Sequence, residues 1–232
     1  MKSGKTTLKS AIFCVSVFLI TILCSACGEK EPEALEVEYY YYNTCASCEP
    51  EKEFMEDFES ITGISRVSVE TSVSAYNVFS DEGEKKWEKT VKKFGLSEEA
   101  NFPVLRIGDE IISISNVQDD VDYADKKAYV MIFISSNCSA CEEAGDNINS
   151  MIPDRVTING VEVETKARTI TLITSEDKEL FKKYCEAYCV KEEMRVTPIV
   201  FVGRTALSGV DEIEKLDELL KTKRSLDTVI LK

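Results

Sequence analysis

Hydrophobic and polar positions change their period several times along the chain, and the changes come in the same order twice. Val37-Glu38-Tyr39-Tyr40-Tyr41-Tyr42 and Ala128-Tyr129-Val130-Met131-Ile132-Phe133-Ile134 are aromatic and β-branched runs of strand length. After the first run, Pro50 to Phe58 places Phe54, Met55 and Phe58 on one face, which predicts an amphipathic helix. Glu142 to Asn149 is a weaker helical run that ends before Pro153. A helix predicted from Trp87 to Leu96 precedes Asn101-Phe102-Pro103-Val104-Leu105-Arg106-Ile107-Gly108. Its counterpart runs from Leu180 through Tyr188-Cys189-Val190 to Arg195-Val196-Thr197-Pro198-Ile199-Val200-Phe201-Val202-Gly203. A closing helix is predicted after Gly209, where Ile213, Leu216, Leu219 and Leu220 keep helical spacing. The matching stretch of the first half, Asn116 to Lys126, is short, acidic and poorly apolar. That half is therefore expected to be truncated or to borrow packing from its neighbour.

The first residues follow another pattern. Lys2, Lys5 and Lys9 precede a thirteen-residue apolar stretch, Ala11 to Leu23. This is short for a membrane span and right for the core of a secretory signal. It ends in Leu23-Cys24-Ser25-Ala26-Cys27-Gly28, which resembles a bacterial lipobox with Cys27 as the lipidated residue. The departure is Cys24, at the place where leucine is usual; an ordinary cleaved signal or an uncleaved anchor are the other readings. The expected organisation is a signal at 1–26, a lipidated linker at 27–34, and domains at 35–124 and 125–232. The expected location is the extracytoplasmic face of a bacterial membrane, held through acyl chains.

Charge and composition narrow the chemistry. The chain has 232 residues, 44% of them hydrophobic, which is enough for a packed core. Net charge is −14, which repels a phosphate backbone and argues against nucleic acid as a partner. Removing residues 1–26 takes away three lysines and no acid, which makes the balance −17. Histidine is absent, which excludes His-based acid–base catalysis, His-ligated metal and Ser-His or Cys-His nucleophiles.

Nine cysteines are present. Cys14 and Cys24 leave with the signal and Cys27 takes lipid. Three close pairs remain: Cys45/Cys48, Cys138/Cys141 and Cys185/Cys189. A bridge across two residues closes too small a loop to constrain the unfolded chain much, so Cys-x-x-Cys pairs point to redox chemistry. Cys45 lies 58 positions before Pro103 and Cys138 lies 60 before Pro198, which reads as a tandem duplication. Cys185 and Cys189 have no counterpart, because Val91 and Gly95 hold the matching places. They are either small core residues or a candidate extra disulfide.

A strand, Cys-x-x-Cys opening a helix, a further helix, then hydrophobic-x-Pro leading a strand-Gly-strand hairpin resembles the thioredoxin and glutaredoxin fold. The resemblance covers nearly all of residues 35–224. It implies an α/β protein of two tandem thioredoxin-like domains, each a mixed sheet flanked by helices. It also implies that Cys45 and Cys138 are exposed nucleophiles at helix N-termini, which Cys48 and Cys141 resolve. Pro103, Thr197 and Pro198 would form cis-proline turns that present backbone to substrate. Ala46-Ser47 and Ser139-Ala140 replace the usual Gly-Pro, and Thr44 and Asn137 replace the usual tryptophan. Tyr39 and Ile132 stand where thioredoxins carry a buried aspartate. Glu49, Glu142 and Glu143 oppose a thiolate, which favours reductase or transfer roles over strong oxidation.

The expected function is a membrane-anchored thiol–disulfide oxidoreductase acting on protein thiols and disulfides, without cofactor, with a membrane electron donor as a further candidate partner. Two alternatives stay open: a redox-inactive binding lipoprotein of the same fold, and a thiolate site for copper(I). A shared zinc site is disfavoured by the long gap between pairs. Trp87 and the run Tyr39 to Tyr42 read as packing residues.

Overall fold

The computed structural model describes residues 34–45, 47–96, 100–113, 126–136 and 139–231, the side chains of 113 and 139–142 excepted. The expected signal segment with Cys27, the candidate nucleophile Cys138 and residues 114–125 lie outside them. The described residues belong to one compact unit, Ala34–Lys232. Among them no helix is long and apolar enough to cross a membrane.

The first half contains β1 (Leu35–Tyr41), α1 (Pro50–Glu56), α2 (Phe58–Thr62), β2 (Thr71–Asn77), α3 (Asp81–Phe94), β3 (Val104–Ile107) and β4 (Glu110–Ser113). The second contains β5 (Lys127–Ser135), α4 (Ser139–Ser150), β6 (Arg155–Ile158), β7 (Val161–Leu172) and α5 (Ser175–Ala187). It continues with β8 (Ile199–Val202), β9 (Thr205–Ser208), α6 (Val210–Ile213) and α7 (Leu216–Leu220). The fold is mixed α/β, with two mixed sheets flanked by helices. Strand order is β2-β1-β3-β4 in one sheet and β6-β7-β5-β8-β9 in the other. The first strand of each pairs in parallel, β1 with β2 and β5 with β7, and antiparallel with the hairpin β3-β4 or β8-β9. The second sheet adds β6 on its edge.

Alternation along β1 sorts its side chains. Val37 and Tyr39 face a core that also takes Phe54 and Phe58 from α1 and α2. Tyr40 faces the other way, against Trp87 of α3. The helix predicted from Pro50 to Phe58 breaks at Asp57, whose backbone leaves the helical region (φ −98°, ψ 13°). The break turns Phe58 and Thr62 inward, both almost fully buried. Helix α3 starts six residues before the predicted Trp87, because the Ser80 side chain caps it by accepting from Gly83 N at 3.1 Å. Gly83 is required there, since a Cβ would collide with the Asn77 carbonyl. The predicted closing helix is two short pieces, α6 and α7, joined where the Lys215 N–H turns back to the Glu212 carbonyl. Ile213, Leu216 and Leu220 are nonetheless buried beneath the second sheet.

One core joins the two sheets. Val37, Tyr39, Leu105 and Ile107 of the first share it with Met131, Phe133, Ile199 and Phe201 of the second, and with Tyr184 and Cys185 of α5. Helix α5 thus covers a face of the first half, for which no further helix follows β4 among the described residues. The segment after α2 fastens this junction. Glu70 N donates to the Cys189 carbonyl at 2.8 Å, and Lys191 N donates to the Ser68 carbonyl at 2.9 Å. Ser65 N donates to Thr205 Oγ1 at 2.8 Å, and the Ser65 hydroxyl donates to buried Glu212.

Candidate functional site

Cys45 and Cys48 are joined by a disulfide, with Cα atoms 5.5 Å apart. Both are exposed. They lie in the loop that leaves β1 at the end where the parallel pair closes on Tyr41↔Asn77. In open α/β sheets this carboxyl end of parallel strands is where reactive groups collect. Helix α1 begins only at Pro50, so neither cysteine stands within its first turn, contrary to the expected arrangement. Stabilisation of a Cys45 thiolate by a helix N-terminus therefore receives no support in the first half. In the second half α4 begins at Ser139, and Cys141 falls in its first turn.

Two asparagines that the sequence reading passed over hold the Cys45 loop. Asn43 Oδ1 accepts from Cys45 N at 2.8 Å, and Asn43 Nδ2 donates to the Cys48 carbonyl at 3.2 Å. Asn77, at the end of β2, reciprocates with Asn43: its Oδ1 accepts from Asn43 N at 3.1 Å and its Nδ2 donates to the Asn43 carbonyl at 2.8 Å. The same Oδ1 accepts from Phe79 N at 3.1 Å. Asparagine side chains commonly bond nearby backbone in turns, so Asn43 just after the tyrosine run was the readable signal. The pairing with Asn77 required the strand register. Ser47 Oγ lies 3.4 Å from Cys45 Sγ.

Tyr39, six residues before Cys45, is buried with its ring stacked on Phe54 at 4.2 Å. Burial, with Glu53 nearby, raises its phenol above the ordinary range, so it keeps its proton. The adjacent carboxylate, Glu38, is buried on the opposite face of the sheet. There Arg106 Nε donates to it at 2.6 Å, the Tyr40 hydroxyl at 2.8 Å, and Lys86 Nζ lies 3.0 Å away. Burial alone would push this carboxyl up; those three partners outweigh burial and hold it at about 2. It is committed to the fold rather than to the cysteines.

The Phe102–Pro103 and Thr197–Pro198 bonds are both cis. Val104 pairs with Tyr40, so Pro103 sits at the same end of the sheet as the Cys45 loop. Ile199 pairs with Phe133, which sets Thr197 and Pro198 at the end of β5 that leads to Cys138. Pro103, Thr197 and Pro198 are half-buried.

Cys185 and Cys189 are not bridged to each other. Cys185 is buried in the shared core, and burial pushes its thiol up to about 12, against the opposing pull of Arg195. Cys189 occupies a left-handed position (φ 49°) just past α5, where Val190 N returns to the Cys185 carbonyl at 2.8 Å. Its counterpart Gly95, past α3, is also left-handed (φ 64°).

Comparison of the chain with known protein families, with curated proteins and with solved structures finds no match.

Proposed function

We propose that the chain is a thiol–disulfide exchange protein, tethered by lipid at Cys27 outside the cytoplasm and built from two duplicated thioredoxin-like halves. The observation that carries the proposal is the exposed Cys45–Cys48 disulfide at the carboxyl end of the parallel strands. A pair bridged across two residues adds little stability, so an exposed one is better suited to exchange than to support. The duplication is supported by the shared strand order and senses of the two sheets, and by the left-handed residues Gly95 and Cys189 at matching places.

In the exchange step, the thiolate of reduced Cys45 attacks one sulfur of a client disulfide. One S–S bond forms as the client's breaks, and the client's other sulfur leaves as a thiolate. Cys48 then attacks Cys45 Sγ, which restores the Cys45–Cys48 bridge and releases the client as a dithiol. The two electrons the client gains are those the dithiol loses. Cys138 and Cys141 would perform the same step in the second half.

The test is mixed-disulfide trapping in the full chain. Cys48→Ser and Cys141→Ser variants should each hold a client covalently, and dithiothreitol should release it. If neither variant traps a protein and the wild type does not catalyse insulin reduction, the proposal fails.

A further inference from the structure

A groove of about 830 Å³ begins three residues before Cys45, and Cys45 does not take part in its lining. Tyr42 and Phe79 form its wall. They are 58% and 61% exposed and meet edge to face with ring centroids 5.6 Å apart. Large apolar side chains exposed side by side mark interaction surfaces more often than isolated ones do. Trp87 and Val91 of α3 form the floor. Trp87 is packed against Tyr40 and Phe102, each with ring centroids 5.1 Å away. Its buried Nε1–H finds no acceptor among the described residues.

The groove and the redox loop are mechanically one piece. Asn77 Oδ1 accepts both from Phe79 N and from Asn43 N, and Asn43 in turn holds Cys45 N. A guest lying against Phe79 is thereby presented to the dithiol.

The charges around it define the guest. Asp81, Glu82 and Glu84 open α3 just past Phe79, and Glu49 follows Cys48 directly, whereas Glu51 and Glu53 of α1 lie beside Tyr41 and Tyr39 on the other face of β1. Lys52 is drawn to Glu49 at 3.3 Å. On the groove rim Glu84 and, one turn on, Glu88 lie toward the cysteine end, and Lys92 lies two turns beyond Glu84 along α3, roughly 12 Å away. The end nearest the disulfide is therefore acidic along α3.

We infer that this groove docks the client, and that it selects an extended segment bearing an aromatic side chain beside lysine or arginine. The inference rests on the exchange reading of Cys45–Cys48. The aromatic ring lies against the Tyr42–Phe79 pair, and the cation lies toward Glu84 and Glu88.

Trp87 is the sole tryptophan of the chain, so occupancy is read from its own fluorescence. The experiment titrates the full chain, oxidised, with cysteine-free peptides containing Lys-Phe-Lys, Glu-Phe-Glu or Lys-Ser-Lys. The Lys-Phe-Lys peptide should saturate and bind at least about tenfold tighter than either of the others. Phe79→Ser should abolish the tight binding, and Glu84→Lys combined with Glu88→Gln should remove the charge preference. Equal affinities, absence of saturation, or an unaffected Phe79→Ser variant overturns the inference. Exchange of reduced protein with a small aromatic disulfide is measured in parallel. If that exchange runs in wild type and Phe79→Ser while no peptide binds, docking alone is refuted. If peptides bind and small-disulfide exchange is absent, the exchange reading is refuted and the groove stands as a binding site.

Discussion

Replacing Glu38 by Gln tests the buried charge cluster on the α3 side of the first sheet. Glu38 is 7% exposed and its carboxylate is shared by Arg106, Tyr40 and Lys86. Arg106 also reaches Glu36, whose side chain is 67% exposed, at 2.7 Å. Burial opposes ionisation of Glu38, but its partners win and bring the carboxyl from 4.5 to about 2. At ~1.4 kcal/mol per unit, this drop corresponds to about 3 kcal/mol of folding stability. The sign follows from proton uptake. Near pH 4.5 the unfolded chain protonates Glu38 while the folded chain does not, so falling pH favours unfolding. The contribution is complete above about pH 4.5 and is lost as pH falls toward 2. Glu38→Gln keeps the shape and removes the charge, leaving Arg106 and Lys86 without it. Urea unfolding followed by Trp87 fluorescence should show a loss of about 3–5 kcal/mol at pH 7. The difference from wild type should shrink below ~1 kcal/mol near pH 2. Glu36→Gln, its solvent-exposed control, should change stability by less than about 1 kcal/mol. A Glu38→Gln penalty that stays constant from pH 7 to pH 2 would refute the electrostatic reasoning, as would one below ~1 kcal/mol at pH 7.

Other outcomes follow from the same geometry. Phe58→Ala, in the core common to both sheets, should cost about 3–5 kcal/mol, and circular dichroism and Trp87 fluorescence should report one coincident transition. Asn77→Ala removes two accepted bonds and one donated bond around the Cys45 loop; hydrogen exchange at the Asn43 and Phe79 amides should speed up markedly while β7 amides do not change. Cys185, with its thiol held near 12 by burial, should resist iodoacetamide at pH 8 in the folded protein and react once urea unfolds it.

The parts of this molecule that were legible in the sequence are those where a local pattern matches a local cause. The aromatic runs became β1 and β5, because alternate side chains are buried on both faces of each sheet. Ile213, Leu216 and Leu220 went to the core although the helix carrying them is interrupted. The hairpin β6-β7 was also legible but went unread: Asn159-Gly160 is the dipeptide that a tight hairpin turn requires, and both residues have positive φ (49° and 80°). Strand β2 carries a fainter mark, because Thr71–Asn77 is only half-buried and Val73, Ala75 and Tyr76 stand among polar residues. The delayed start of α1 follows from Pro50, which suits a first helical position and leaves Cys45 and Cys48 in the preceding loop. The cysteine pairs stood out at once. The Asn43–Asn77 clamp did not, since it joins residues 34 apart that only the parallel register brings together. The charge cluster at Glu38 was hidden for the same reason, with Arg106 lying 68 positions away.

The central claim is that Cys45–Cys48 cycles between disulfide and dithiol under biological conditions. The direct measurement is a redox titration of the full chain carrying Cys138→Ser and Cys141→Ser, equilibrated in glutathione or dithiothreitol buffers and read by alkylation and mass. With Glu49, Glu51 and Glu53 beside the pair and no helix turn reaching Cys45, the account predicts a reversible two-electron transition at about −200 to −270 mV. A pair that stays oxidised below about −300 mV would be a structural bridge, and one near −120 mV would be a strong oxidant. Either result would contradict the account.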